Sequence, residues 1–333
     1  FFFDYSTVGI PPAPTFSGSW TTRGMKLQAN VPFDDGDFDA FGGFNVSPTG
    51  QSFTGDYTLK FDWWSNYNGP LDTGAAGSTM LSTFGVLTSG TAGNFPSDQT
   101  AWPQGAVADG VYFATTGDGG STFDYRAYSV ERATGYLASH IVPNDAHAVY
   151  VAGIQNNSAA YYTSHFPGGY AAPAIQQAMY PLMQTGTTPA GSQGFTWHQV
   201  AIEKTGPLVV WYVDDVLIVT VDTTDFAVPT GGNNIFFGHS DVNSTTGIDE
   251  AYWELNFTLI DNIRVISHPS CPGDLNGDGY RDLPDFALFS SAWLSVAGQP
   301  KYNPAADLHG DKTVNLTDLV LFCNGWLLPC PEN

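Results

Sequence analysis

Residues 196–222 read TWHQVAIEKTGPLVVWYVDDVLIVTVD, and the apolar positions in this stretch recur at every second residue. That is the period of a pleated strand, whose successive side chains point to opposite faces. It predicts a meander of two or three strands with turns at 204–207 and at Asp214-Asp215. Val200 and Ile202 fall on one face and Trp197, Gln199 and Glu203 on the other, so the sheet should be amphipathic. Further β-prone runs at 57–64, 80–88, 123–130 and 259–266, separated by turn residues, extend the pattern over residues 1–266. Helical periodicity is scarce in this stretch, and the expected class is mainly β.

The pattern changes after residue 266. Residues 271–294 read CPGDLNGDGYRDLPDFALFSSAWL, and 33 residues later comes a second copy, in which Asp307, Asp311, Asp318, Leu321, Phe322 and Trp326 match Asp274, Asp278, Asp285, Leu288, Phe289 and Trp293. Each copy opens on a 12-residue loop with oxygen-bearing groups at positions 1, 3, 5, 7, 9 and 12, the arrangement that wraps a calcium ion in six or seven oxygens. In the first loop these are Asp274, Asn276, Asp278, the Tyr280 carbonyl, Asp282 and Asp285, with Gly279 at the sharp turn. In the second they are Asp307, His309, Asp311, the Thr313 carbonyl, Asn315 and Asp318, with Lys312 at the turn. Imidazole is a poor calcium ligand and a non-glycine residue at positive φ costs about 1 kcal/mol, so a weaker second site is expected. After each loop, Phe286, Phe289 and Trp293, or Leu319, Phe322 and Trp326, stand at helical spacing, and the two stripes should pack on each other.

Composition narrows the partners. Ten Lys and Arg against 32 Asp and Glu leave a formal charge of −22, which repels nucleic acid and anionic membranes. Aromatic residues make up 14% of the chain and charged ones 13%, too apolar a balance for a disordered acidic chain. The apolar run at 208–221 is interrupted by Asp214 and Asp215, so no membrane insertion is expected. The chain opens on Phe1 with no basic-then-apolar leader, which reads as the mature form of a secreted protein, extracellular or at the cell surface. Its three cysteines, Cys271, Cys323 and Cys330, all lie in the tail.

A loop followed by a helix, twice, without the helix that precedes an EF-hand loop, resembles the dockerin type I family, in the variant common in secreted planctomycete proteins. The resemblance covers residues 271–330 of a domain taken as 267–333. It implies calcium as cofactor and a cohesin-like docking partner. A unit of this size needs staples, and calcium with a Cys271–Cys330 disulfide would tie both ends together. Cys323 is expected to be a buried free thiol, and Arg281 stands where the family places an apolar residue, which puts local packing in doubt.

The W-H-x-V-x-I and W-Y-V-D-D runs, with the closing DNIRV, resemble the concanavalin A-like and laminin-G-like jelly roll, which would span residues 1–266. That resemblance implies a jelly-roll β-sandwich followed by a small α-helical paired calcium-loop domain. Jelly rolls host lectins, glycosidases and structural modules alike. Glycosidases of this fold carry E-x-D-x-x-E on one strand. No such strand is present; Asp249, Glu250 and Glu254 have the wrong spacing, and the chain is expected not to be an enzyme. Possible further metal turns are Asp35, Asp37 and Asp39, and Asp241 with Asn243. Trp63 and Trp64 are adjacent on a strand, so one should face the core, and the other is either buried against a neighbouring loop or a partner or open to a sugar.

Phe1, Phe2, Phe3 and Tyr5 form an apolar terminus that something must cover. Either it completes its own sandwich as a strand, or it is donated to the next copy, giving a head-to-tail filament similar to those built by secreted bacterial proteins. The leading expectation is thus a self-assembling extracellular structural protein with a calcium-stabilised tail. The alternative is a lectin-like protein that binds polysaccharide and docks through the tail, with a glycoside hydrolase third.

Overall fold

The computed structural model describes residues 2–14, 21–28, 42–71, 80–94, 109–119, 124–128, 133–134, 151–155, 158–223, 231–241, 254–268, 271–276 and 278–330. Contacts divide the chain into two units, Phe1–Ile266 and Ser267–Asn333.

The first unit is a sandwich of two sheets whose described pairings are antiparallel. The eight-stranded sheet has the order β1 (Phe2–Asp4), β2 (Arg23–Leu27), β14 (Phe257–His268), β4 (Asp56–Asn66), β10 (Trp197–Thr205), β11 (Leu208–Val213), β12 (Val216–Asp222) and β8 (Ala133–Thr134). The six-stranded sheet runs β3 (Gly42–Val46), β13 (Asn234–Asp241), β5 (Met80–Thr88), β6 (Val111–Thr115), β7 (Tyr125–Tyr128) and β9 (Val151–Gln155). The period-2 pattern explains the core between them. Leu59, Phe61 and Trp63 of β4 and Val200 and Ile202 of β10 meet Phe84 and Val86 of β5 and Phe113 of β6, all buried. Each such side chain removed from water stabilises the fold by roughly 1.5–3 kcal/mol. The two-residue turn at Asp214-Asp215 has φ of 51° and 62°, the left-handed pair that a tight hairpin requires. The meander read from residues 196–222 is therefore present strand for strand as β10, β11 and β12.

Two short helices, α1 (Ala160–His165) and α2 (Ala174–Met179), escaped the sequence reading. Each is six residues long and has no side-chain N-cap, so neither periodicity nor capping marks it. Among the described residues no helix is long and apolar enough to cross a membrane.

Of the two readings of the tryptophan pair the structure has the buried one: Trp63 is at 0% exposure and Trp64 at 3%, so neither is an open sugar platform. Alternation does send them to opposite faces. Trp63 enters the inter-sheet core, where its indole N–H donates to Ser82 Oγ at 3.0 Å. Trp64 lies on the other face of the sheet, but that face is covered by a second apolar cluster with Tyr5, Ile10, Phe195 and Leu259. The N-terminal segment supplies part of the cover. β1 pairs with β2 of its own chain, the plainer of the two readings of the apolar terminus, and Tyr5 is buried with its hydroxyl donating to Asp261 Oδ2 at 2.9 Å. Phe3 packs edge-on against Phe257, Phe2 is 84% exposed, and Phe1 lies outside the described residues.

The second unit is two loop-helix copies, with helices α3 (Leu283–Ser291) and α4 (Leu316–Asn324). Both helices start on a capping box made by loop positions 9 and 12, Asp282 with Asp285 and Asn315 with Asp318. The predicted stripes pack on each other: Phe289 lies 5.2 Å from Phe322, and Phe286 5.9 Å from Trp326. The copies also exchange backbone hydrogen bonds in matched pairs. Leu327 N–H donates to the Arg281 carbonyl as Leu294 N–H does to that of Val314, and Cys330 N–H to that of Gly279 as Ala297 N–H does to that of Lys312. With the 33-residue offset each bond maps onto its twin, so each loop is braced by the segment that follows the other helix. Cys271 and Cys330 form a disulfide. Cys323 is free but exposed, which corrects the expected burial: one position after Phe322, it is turned about 100° from the residue that fills the core.

Candidate metal centre and aromatic cleft

The first loop gathers its acids. Carboxylate oxygens of Asp274, Asp278 and Asp285 all lie within 4.8 Å of one another. Oxygens bound at 2.3–2.6 Å to one calcium ion stand at most about 5 Å apart, so the spacing fits a shared ion. Asp285 is buried, its Oδ1 accepting from Leu275 and Asn276 N–H and its Oδ2 from Asp282 N–H, which aims the carboxylate into the loop. Asp278 Oδ1 accepts from Tyr280 N–H and Asp274 Oδ2 from Gly279 N–H. Gly279 takes φ of 87°, the left-handed conformation the turn needs. Asp282 Oδ1 is shielded from solvent and has no hydrogen-bond partner among the described residues. Its carboxyl is pushed above the usual range, first by desolvation and then by the carboxylates of Asp278, Asp285 and Asp274. An orphaned oxygen among repelling carboxylates is a donor set that a hard divalent cation satisfies.

The second loop differs. Asp318 keeps the role of Asp285, accepting from His309 and Asn315 N–H. Lys312 takes φ of 68°, the strained turn expected from its position. Asp307 is enclosed by donors: Oδ1 accepts from Gly310 and Asp311 N–H, and Oδ2 from Lys312 N–H and the Tyr302 hydroxyl, each of the latter two at 2.7 Å. Desolvation raises the Asp307 pKa, but these hydrogen bonds outweigh it and hold the carboxyl below its ordinary range. His309 Nδ1 lies 3.6 Å from Asp311 Oδ2. The sequence reading missed Tyr302 because it lies outside the loop and its counterpart in the first copy is Pro269.

Arg281 disturbs no packing, because its partner is a glycine. A Cβ on Gly325 would run into the Arg281 guanidinium, whereas the twin positions hold Val314 and Ala292, both fully buried. The substitution at one position is matched by the other.

On the outer face of the eight-stranded sheet, an open cleft of about 450 Å³ is lined by Trp64, Phe195 and Trp197 with Pro11, Pro12 and Pro173. Trp197 and Trp64 are cross-strand neighbours with ring centroids 5.7 Å apart. The Trp197 indole N–H donates to the Pro11 carbonyl at 2.7 Å, and Phe195 is held at φ of 58°, where bulky residues are rare. Trp197 was read from the sequence only as an outward-facing position. Its role in a cleft depends on residues 9–14, almost 190 positions away in the chain.

Asp35, Asp37, Asp39, Asn243, Asp249 and Glu250 lie outside the described residues. Asp241 ends β13, paired with Gly42 and Met80, and Glu254 Oε2 accepts from the Tyr180 hydroxyl at 3.4 Å. One polar pair was not foreseen: buried His198 Nδ1 lies 2.6 Å from Oδ2 of the exposed Asp214, joining β10 to the turn between β11 and β12.

No family profile and no curated protein matches the sequence. Solved structures do. The carbohydrate recognition domain of Emp46p is 9% identical, covers 78% of this chain and 96% of its own, and has a TM-score of 0.34. The catalytic domain of an endo-1,3-β-glucanase (laminarinase) from Thermotoga petrophila is 14% identical, with 67% and 68% covered and a TM-score of 0.34. A β-glucanase of Bacillus licheniformis is 11% identical, with 78% and 97% covered and a TM-score of 0.30. Likeness at this level assigns no activity. It does overturn one expectation: two of these three proteins are glucanases, and the reading of this chain as a non-enzyme is withdrawn.

Proposed function

We propose that this chain is a secreted carbohydrate-binding protein with a calcium-locked, dockerin-like C-terminal module. The observation that carries the reading is the first loop, where the acids of Asp274, Asp278 and Asp285 converge within 4.8 Å. Calcium there neutralises mutually repelling carboxylates and ties the loop to the start of α3, because Asp282 and Asp285 both cap the helix and face the ion site.

The saccharide part is supported by the cleft beside Trp197, which is partly exposed where Trp64 is buried. An indole face packs the C–H face of a pyranose ring, and the prolines that line the same cleft add a rigid apolar surface. The strand on which a head-to-tail filament depended is already hydrogen-bonded inside its own sheet, so carbohydrate binding is preferred to self-assembly.

Affinity electrophoresis through a panel of soluble polysaccharides tests this. At least one glycan should retard the native chain, and Trp197→Ala should lose roughly tenfold or more in affinity with its circular dichroism unchanged. Retardation by no glycan, or equal retardation of the folded variant, would sink the cleft as a saccharide site. Reducing ends released in the same mixtures measure hydrolysis.

A further inference from the structure

We propose, on the reading that the C-terminal module binds calcium, that it takes one ion and that its second loop is a latch closed by Tyr302 in place of a metal. The two loops share a backbone plan, so each is the control for the other. In the first, the carboxylates of Asp274, Asp278 and Asp285 converge although backbone N–H groups and the Asn276 amide donate to them, and Asp282 Oδ1 has no hydrogen-bond partner among the described residues. In the second, the oxygens that would face an ion are engaged by donors of the chain itself.

Asp307, at position 1, accepts the Tyr302 hydroxyl and three backbone N–H groups. Asn315, at position 9, turns its amide nitrogen inward and donates to both Asp311 Oδ2 and the Thr313 carbonyl, each at 3.3 Å. An ion entering this loop would have to displace the tyrosine hydroxyl and reverse the asparagine amide. It would gain three carboxylates, those of Asp307, Asp311 and Asp318, where the first loop offers four, those of Asp274, Asp278, Asp282 and Asp285. Calcium affinity follows the number of charged ligands and the fit of the cage, and both favour the first loop. The hydroxyl donor fills from outside the loop the position where a cation would hold Asp307 in place, so the second half keeps its shape without metal.

Calcium titration of the chelator-treated full chain by isothermal calorimetry decides the matter. The expected stoichiometry is one ion, lost or weakened roughly tenfold or more in Asp278→Asn. The combined change Tyr302→Phe, His309→Asp and Lys312→Gly should open the latch and raise the stoichiometry to two. Should that triple variant not fold, Tyr302→Phe alone should add a second, weaker binding phase, and an isotherm unchanged by it would overturn the latch. Two ions in the unaltered chain would overturn this inference and leave the calcium reading standing. No ion at all would overturn both.

Discussion

The two halves of the C-terminal unit differ more in chemistry than in backbone. Their helices begin on the same capping box, and their loops are braced by paired backbone hydrogen bonds. Yet the first half gathers three carboxylates within 4.8 Å and leaves Asp282 Oδ1 without a hydrogen-bond partner among the described residues, whereas the second adds to its backbone donors a tyrosine hydroxyl from outside the loop. A duplicated motif can thus keep its fold while the donors around its acids differ, which is the basis of the proposed division into an ion loop and a self-closed loop. The physical reason is that a loop backbone needs its carboxylates held in place, and either a cation or a set of hydrogen-bond donors will hold them.

The largest test of this contrast is the disulfide. The segment ending in Cys330 braces the first loop, while its twin after α3 continues into the chain and needs no tether. Replacing both Cys271 and Cys330 by Ser releases a cross-link spanning 59 residues, and stability of the C-terminal unit should fall by about 4 kcal/mol. Hydrogen exchange should locate the loss first in residues 279–282 and not in 312–315. Protection lost equally in both loops would mean that the halves are not independently braced.

Next in size is the arginine and glycine pair. Gly325→Ala should cost about 1–3 kcal/mol in thermal unfolding, because the new methyl group meets the Arg281 guanidinium. Adding Arg281→Val recreates the Val314 and Ala292 arrangement of the other half and should restore most of the loss. Equal stabilities of the single and double variants would show that the pair is not coupled.

The smallest expected effect is at the turn. Lys312 holds φ of 68° where its twin is Gly279 at 87°, so Lys312→Gly should stabilise the unit by about 1 kcal/mol in calcium-free buffer. Gly279→Ala should destabilise it by a similar amount, since its Cβ meets no atom within 4 Å and only backbone strain remains.

Much of this could be read along the chain. The strand period of residues 196–222, the 33-residue repeat, the turn aspartates and the apolar stripes of both helices depend on neighbours close in sequence, where the period of each element dictates which side chain faces the core. The family likeness read from Cys271 and Cys330 also led to their pairing. Other features were illegible because their causes are distant. Alternation placed Trp63 and Trp64 on opposite faces, but could not tell that the N-terminal segment and Phe195 cover the second face. Arg281 looked like a packing fault until Gly325, 44 positions on, was found beneath it.

By itself, then, the sequence determined the two units, the strand and helix periods and the twelve-residue loops, because spacing along the backbone is a local property. The tertiary structure alone decided which acids converge and which are already satisfied. Convergence depends on side chains such as Tyr302 that reach a loop from outside it, and on backbone N–H groups whose direction is set by turns rather than by residue type. It decided the cleft as well, since Pro11 and Trp197 become neighbours only when a terminal segment folds back across the sheet.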